Sequence, residues 1–543
     1  MKRILKYAGI ISLLFVGMAA SFQPDNKYFE ILKNIEIFTN LYKEINTYYV
    51  DDVDPGHLMR IGIDAMVESL DPFTNYISES EIEGYRFMTE GKYNGIGAIS
   101  QKMGEYVTIT ELYQGQAADK AGLRPGDQII AVDGQDATGK DPDAINDILR
   151  GFPGTSVKLT IRRPGRDADF DIELVRGEVQ VPNVPYHGIV ADGIGYVALT
   201  TFTREAGTNV ANAVKDLKDK NPGLKGIIFD LRGNGGGLLN EAVNICNVFI
   251  PRGELVVTTK GKVKEWDRAF STMNQPIDLD IPLTVLINKN SASASEIVSG
   301  VIQDYDRGIL IGQRSYGKGL VQNTRDIGYN SKLKLTTAKY YIPSGRCIQS
   351  VEYEDGEPIH IPDDQRTPFK TRNGRTVLDG GGVKPDVMID RFTDAAIVQG
   401  LLEQHLIFDY VTQFCLKHDS IPSVEEFRFK DFDGFVQFLS ERQFEYDTES
   451  EKLLKQLMEE SAEEGYELTA QIDALKAKIA SDKKDALMDN KDVIVDLIEK
   501  EISSRYYYQE GKIRMGLRND VEIEEAIKLL KDQGKYQKVL QEG

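Results

Sequence analysis

Cysteine is scarce in this chain. Its three residues, Cys246, Cys347 and Cys415, lie far apart among 543 positions. An odd, dispersed set does not read as a disulfide framework. Histidine is scarce too: there are five, and no Cys/His cluster has zinc-ligand spacing. His187, His360 and His405 read as ordinary surface or core residues, so a Ser–His–Asp triad has no histidine motif to draw on. Positive charge is in deficit. The 65 Lys and Arg against 85 Asp and Glu leave a net charge of −20. That argues against broad nucleic-acid binding, which needs a basic surplus to neutralise phosphates. No metal or cofactor is implied.

Long apolar runs are missing, with one short exception. Lys2, Arg3 and Lys6 precede an apolar stretch from Ala8 to Ala20, and small residues close it (Ala19, Ala20, Ser21). A basic start, a short apolar run and a small-residue region form a signal-peptide layout. The stretch is short for a bilayer span, which takes about 20 apolar residues. Residues 1–20 are therefore expected to be a signal peptide, with an uncleaved membrane anchor as the alternative.

What is present is an ordinary globular composition, 41% hydrophobic and 28% charged. The length suggests about three or four domains. Residues 21–90 read as helical, with Phe29, Ile31, Leu32, Ile35, Ile37, Phe38, Leu41 and Tyr42 forming a crowded apolar face. Residues 91–180 alternate short β-like runs with two short helices. Asp141-Pro142 starts the second helix, with proline suited to the first turn. Residues 181–395 alternate apolar strands and helices, which reads as an α/β layer. Residues 396–543 are glycine-poor, charged and helical, with Leu453, Leu454, Leu457, Ile472, Leu475, Ile479, Val493, Leu497, Ile527 and Leu530 at helical spacing.

The chemistry concentrates in three loops of the α/β segment. Leu283–Ile287 leads into Asn288-Lys289-Asn290-Ser291-Ala292-Ser293-Ala294-Ser295-Glu296, and Ile297, Val301, Ile302 and Tyr305 lead out as a helix. Ser293 with Glu296 is a capping box. The same position also suits a nucleophile, because a helix N-terminus offers N–H groups to an oxyanion. Ile227–Leu231 empties into Arg232-Gly233-Asn234-Gly235-Gly236-Gly237. Ile309–Ile311 leads to Gly312-Gln313-Arg314-Ser315-Tyr316-Gly317-Lys318-Gly319-Leu320-Val321-Gln322. In open α/β sheets, sites lie beyond the carboxyl ends of strands, so the three loops can converge.

Gly312 to Lys318 imitates a nucleotide-binding P-loop. Gly319 replaces the required Ser or Thr, however, and a strand rather than a helix follows, so the mechanism of that motif is lost. An acid–base reading fits better. In an extended run, Lys318 and Gln322 share a face. A neutral lysine can serve as base to a serine if burial lowers its pKa by several units, and an amide such as Gln322 can orient the amine without restoring its charge.

Two resemblances extend this reading. Ala121-Gly122-Leu123-x-Pro125-Gly126-Asp127-x-Ile129, within its succession of strands and helices, resembles a PDZ domain. PDZ domains bind extended peptides by strand addition and hold the terminal carboxylate in backbone N–H groups. The resemblance makes Gly95-Ile96-Gly97-Ala98 the carboxylate cradle. The chain as a whole resembles the carboxyl-terminal processing, or tail-specific, proteases. The matching segments are Leu70-Asp71-Pro72-Phe73-Thr74, the PDZ signature, Asp230-Leu231-Arg232-x-Asn234-x-Gly236-Gly237, Ser291–Glu296, Gly317-Lys318-Gly319-x-Val321-Gln322, Tyr340-Tyr341-x-Pro343-Ser344-Gly345-Arg346 and Gly382-Val383-Lys384-Pro385-Asp386.

That resemblance implies a ClpP/crotonase-like α/β protease core (181–395) with an inserted PDZ domain (91–180) and helical N- and C-terminal regions. It implies Ser293 as nucleophile, Lys318 as general base 25 residues later, and Gln322 as its orienting group. It also implies an oxyanion hole from the N–H groups of Gly236 and Ala294, with Ser291 and Ser295 as turn and cap residues. The expected substrates are proteins or peptides with accessible C-terminal tails. The expected location is the periplasm or the outer face of a bacterial cytoplasmic membrane. Gly235 departs from the proline often found at that loop position, which loosens the turn. The 396–543 region lies outside the resemblance, and homo-oligomer or partner contacts through the helical regions stay open. An inert PDZ scaffold is the alternative function.

Overall fold

The computed structural model describes residues 26–349, 351–354, 357–360, 362–389 and 395–542. The expected signal segment lies outside these. No helix among the described residues is long and apolar enough to cross a membrane. The chain divides into two units, Met1–Tyr76 and Ile77–Gly543. In the first, helices Asn26–Tyr48 and Pro55–Glu68 match the helical expectation. Asp54 caps the second helix by accepting from His57 N–H, and Pro55 occupies its first turn.

In the second unit, the segment expected to be a PDZ domain stands on a two-strand neck. Lys92–Gly95 enters and Gly177–Gln180 leaves, paired antiparallel. Between them, strands Ala98–Met103, Tyr106–Leu112, Gln128–Val132, Ser156–Arg162 and Phe170–Val175 pair in that order. Helix Pro142–Leu149 starts where the Asp-Pro signal placed it, and Asp141 accepts from Asp143 N–H. The signature aspartate is structural. Asp127 is buried, caps the turn by accepting from Arg124 N–H (2.8 Å), and pairs with Arg163 (2.7 Å).

The α/β layer is a six-stranded sheet in the order Tyr186–Ala191, Ile194–Ala198, Gly226–Asp230, Leu283–Ile287, Ile309–Gly312, Val387–Met388. The first pair is antiparallel and the rest are parallel. The strands read as unbroken apolar runs because both faces are covered. Ile227, Phe229, Leu283, Val285, Ile287 and Leu310 pack with helices Ala206–Lys220, Leu239–Phe249 and Ala294–Asp304. The alternate residues, Ile228, Leu286, Ile309 and Ile311, pack on the opposite face.

That opposite face is covered by the end of the chain. Ile523, Ala526, Leu529 and Leu530 of helix Val521–Lys531, with Tyr536 and Leu540 of helix Gln533–Glu542, complete it. Tyr536 Oη accepts from Leu283 N–H and donates to Leu283 C=O, both at 3.0 Å. The end of the helical tail is thus part of the α/β layer. Its other helices form a separate aromatic core around Tyr410, Phe429, Phe435 and Phe438. The leucines at helical spacing in the hairpin Glu449–Glu464/Thr469–Lys483 do not join that core; Leu453, Leu457 and Leu475 stay exposed. Helix Lys491–Gly516 kinks at Tyr508, whose side chain packs on the PDZ core and donates to Asp119 (2.8 Å).

Candidate active site

The strand Leu283–Ile287 ends in a tight turn, and the helix Ala294–Asp304 begins immediately after Ser293. Ser293 has φ +55° and ψ −112°, a conformation that costs a residue with a side chain on the order of 1–3 kcal/mol. The neighbouring serines hold this turn in place. Ser291 Oγ donates to Leu231 C=O (2.8 Å) and accepts from Asn288 N–H (2.9 Å). Ser295 Oγ donates to Asn234 C=O (2.8 Å). Both are fully buried. Ser293 is half-buried and, of the three, the one that lines the adjoining cavity. Through these bonds the flanking serines act as the scaffold of the turn around Ser293.

The glycine loop is laced to the serine turn. Asn288 Oδ1 accepts from Gly233 N–H (3.0 Å), and Asn234 C=O accepts from Ala292 N–H (3.0 Å). On its other side, Phe202 N–H donates to Gly236 C=O and Leu238 N–H donates to Phe202 C=O. Gly236 has φ +100°, and a Cβ there would stand 2.7 Å from Ala292 O and 2.8 Å from Ser293 Cβ. Only glycine permits that approach. The Gly236 N–H donates to Asn234 Oδ1 (2.9 Å), so the amide assigned to the oxyanion is held here by its own loop. Ala294 N–H lies in the first turn of its helix, where amides have no intrahelical acceptor.

The lysine loop is fixed by a residue whose full reach the sequence did not reveal. Glu296 is completely buried, and its carboxylate accepts from four donors. Ser315 Oγ and Gly317 N–H (both 2.6 Å) reach Oε1, and Ser293 N–H and Lys318 N–H (both 2.8 Å) reach Oε2. Burial pushes its pKa up to about 7, against the pull of these donors. The S-x-x-E spacing signals only the bond to Ser293; the other three donors come from a loop 19 to 22 residues away. Tyr340 joins the same two segments, its hydroxyl lying within hydrogen-bond reach of both Ser293 C=O and Lys318 C=O. Burial, with Glu296 nearby, holds Tyr340 well above its usual range, so it stays a hydroxyl donor.

Lys318 precedes the strand Leu320–Gly328, whose antiparallel partner Ser331–Tyr341 carries an extra residue, Thr337, between the Val321–Ala338 and Gln322–Thr336 pairs. Gln322 lies opposite Thr336 and donates to its Oγ1 (3.2 Å). Ser293, Ala294, Gly236, Lys318 and Gln322 all line one cavity of about 500 Å³. Tyr85, Phe87 and Met88 close it with Leu238, Leu239 and Leu320. No histidine is among its lining residues, and two lysines, Lys318 and Lys334, are.

The expected cradle lies in the PDZ domain. Gly95 ends the entering strand of the neck, and Gly97 has φ +80°. Ile96 C=O accepts from Ala118 N–H (2.8 Å) and Gly97 C=O from Tyr113 N–H (3.0 Å), while Ala98 opens the next strand. A Cβ at Gly97 would stand 2.2 Å from Gln116 Cβ, which fixes glycine there. Tyr93 is pushed up to about 12 by burial, with the Gly97 and Ala98 backbone N–H groups pulling the other way.

Comparison with known proteins agrees with this architecture. Residues 193–356 match the model of peptidase family S41, residues 108–163 a PDZ domain, and residues 397–530 the C-terminal helical domain of probable PDZ-proteases. A carboxy-terminal-processing protease of Bartonella bacilliformis is 36% identical over 353 residues, covering 64% of this chain and 80% of that protein. The chain belongs to the carboxyl-terminal processing proteases of peptidase family S41. A probable CtpA-like serine protease of Staphylococcus aureus is 34% identical over 66% of this chain and 65% of its own length. A solved photosystem II D1 C-terminal processing protease is 26% identical, covers 65% of this chain and 92% of its own, and has a TM-score of 0.36. As a family member, the chain is a serine-type protease with a PDZ domain and a helical C-terminal domain.

Proposed function

We propose that this S41 protease is an exported endopeptidase that captures C-terminal tails in its PDZ domain and cuts an upstream peptide bond with a Ser293–Lys318 pair. The observation that carries the reading is the single cavity shared by Ser293, Ala294, Gly236, Lys318 and Gln322. Ser293 Oγ attacks the scissile carbonyl carbon and gives its proton to a neutral Lys318 Nζ. Negative charge gathers on the former carbonyl oxygen, beside Ala294 N–H and the glycine loop. Gly236 joins that hole by exchanging Asn234 Oδ1 for the oxyanion. The C–N bond then breaks, and Lys318 returns the proton to the leaving amine. Water gives a proton to Lys318 and attacks the acyl ester, and Lys318 returns that proton to Ser293 Oγ as the ester C–O bond breaks. Gln322 orients the amine. The basic-then-apolar start of the chain supports export.

The test uses the full-length protein and an unfolded substrate with an apolar free C-terminus, compared with the same substrate amidated at that end. Wild type is expected to cut the first faster, and Ser293→Ala and Lys318→Ala to cut neither. Cleavage by Ser293→Ala, or none by wild type, defeats the reading; no cleavage with tail binding intact would favour a scaffold.

A further inference from the structure

We infer that Asp520 and Glu522, in the C-terminal helical domain, are positioning residues for the glycine loop that faces the scissile bond. The inference rests on the catalytic reading above. Arg232 sits between the strand that ends at Asp230 and the loop Gly233–Gly237. Its guanidinium lies almost wholly inside the protein and meets three carboxylates. Asp230, from its own strand, binds Nη2 (2.6 Å) and Nε (3.0 Å). Asp520 Oδ2 binds Nη1 at 2.7 Å, and Glu522 binds the same nitrogen. Asp520 Oδ1 accepts from Glu522 N–H and Ile523 N–H, so this residue both caps its helix and holds Arg232. Tyr196 Oη donates to Asp230 Oδ2 (2.8 Å), which fixes the third carboxylate.

The reason for an outside restraint lies in the loop itself. Four of its five residues, Gly233, Gly235, Gly236 and Gly237, are glycine. Three of these have positive φ, and backbone of this composition has the most conformational freedom to lose. Its other anchors are uncharged: hydrogen bonds at Gly233 and Gly236, and at Asn234, whose C=O accepts from Ala292 N–H and Ser295 Oγ and whose Nδ2 donates to Leu199 C=O (2.8 Å). Among the described residues Arg232 is its one charged anchor, and two of the three groups gripping it stand at the start of a helix about 290 residues further along. Charge-assisted pairs are about twice as strong as neutral ones and geometrically stricter. The helix is itself seated close: a Cβ at Gly226 would meet Leu530 at 2.9 Å, and one at Gly312 would lie 3.4 Å from Glu522. The tail therefore sets where Arg232 points, and Arg232 sets where the loop begins.

The experiment compares full-length wild type, Asp520→Asn/Glu522→Gln, Glu522→Gln alone, and Tyr536→Phe. The last weakens docking of the same tail away from the loop, through the lost bonds to Leu283. Since one oxyanion donor is worth about 100–1,000-fold, partial loosening should lower kcat of the double variant on the order of 10-fold, with KM unchanged. Tyr536→Phe should lower thermal stability and leave kcat at the wild-type value. Equal kcat in the double variant and in Tyr536→Phe, at matched melting temperature, overturns the inference. A kcat loss matched by an equal KM rise does the same. If the double variant does not fold, Glu522→Gln is read by the same two criteria. An inactive wild type would instead defeat the catalytic reading.

Discussion

Replacing Glu296 with glutamine isolates what its carboxylate does. The four donors it accepts divide evenly between its two oxygens. A carboxamide has one acceptor oxygen and an NH₂ that only donates. Its best orientation keeps the oxygen on the Ser293 and Lys318 N–H groups and turns the NH₂ toward Ser315, whose hydroxyl can rotate to accept. Gly317 N–H is then left without an acceptor, at a cost of about 1–3 kcal/mol. Exerted in the loop that presents Lys318, that is about 5- to 160-fold in kcat/KM. Protonation of the native carboxyl has the same effect, since it also exchanges an acceptor for a donor. Wild-type activity should therefore rise with pH through about 7, where Glu296 ionises.

Stability moves the other way. The folded pKa lies above the 4.5 of an ordinary glutamate, so the folded protein binds this proton more tightly. The associated stability is fully present below about 4.5 and is lost as pH climbs to about 7, on the order of 3 kcal/mol. Glutamine cannot titrate, so both dependences should vanish in Glu296→Gln. Rates on a tailed unfolded substrate and urea denaturation, each from about pH 5 to 9, measure the two effects. A variant that keeps wild-type rates and the inflection near 7 would refute the argument.

Tyr340→Phe removes the hydroxyl that reaches both Ser293 C=O and Lys318 C=O; a fall of about 5- to 10-fold in kcat with little change in KM is expected from steady-state kinetics, for about 1 kcal/mol. Ser291→Ala and Ser295→Ala should each lose about 1 kcal/mol of stability in chemical denaturation while still reacting with a fluorophosphonate, a reaction that Ser293→Ala should abolish. Arg346→Met strands the buried Asp304 that now pairs with it at 2.9 Å; a loss of about 3–5 kcal/mol is expected, partly recovered by adding Asp304→Asn, as read from melting curves.

Much of the layer was legible because its signals are local. Leu283–Ile287 and Ile227–Leu231 are short apolar runs, and such runs become strands buried on both faces. The Asp141-Pro142 start and the glycine loop are equally local. Two features were not legible, for a common reason. Glu296 reads as a cap because its remaining donors arrive from a separate loop. The tail reads as a region without an assigned role because periodicity says that a helix has an apolar side, not what that side meets. Ile523, Ala526 and Leu530 meet the sheet, whereas Leu453 and Leu475, equally periodic, meet solvent.

The bond between Tyr536 and Leu283 has a consequence for biosynthesis. Leu283 opens the strand that delivers Ser293, and the side chain that satisfies both its backbone groups is made 253 residues later. Contacts this distant in sequence form late, after a large loop has closed. Until residues near 540 emerge, Ile228, Leu286 and Ile311 have no cover, and a nascent chain shows a wet apolar stripe that invites chaperones. A chain built in this order gains full cover over the strand that leads to Ser293 only after helix Gln533–Glu542 has been made.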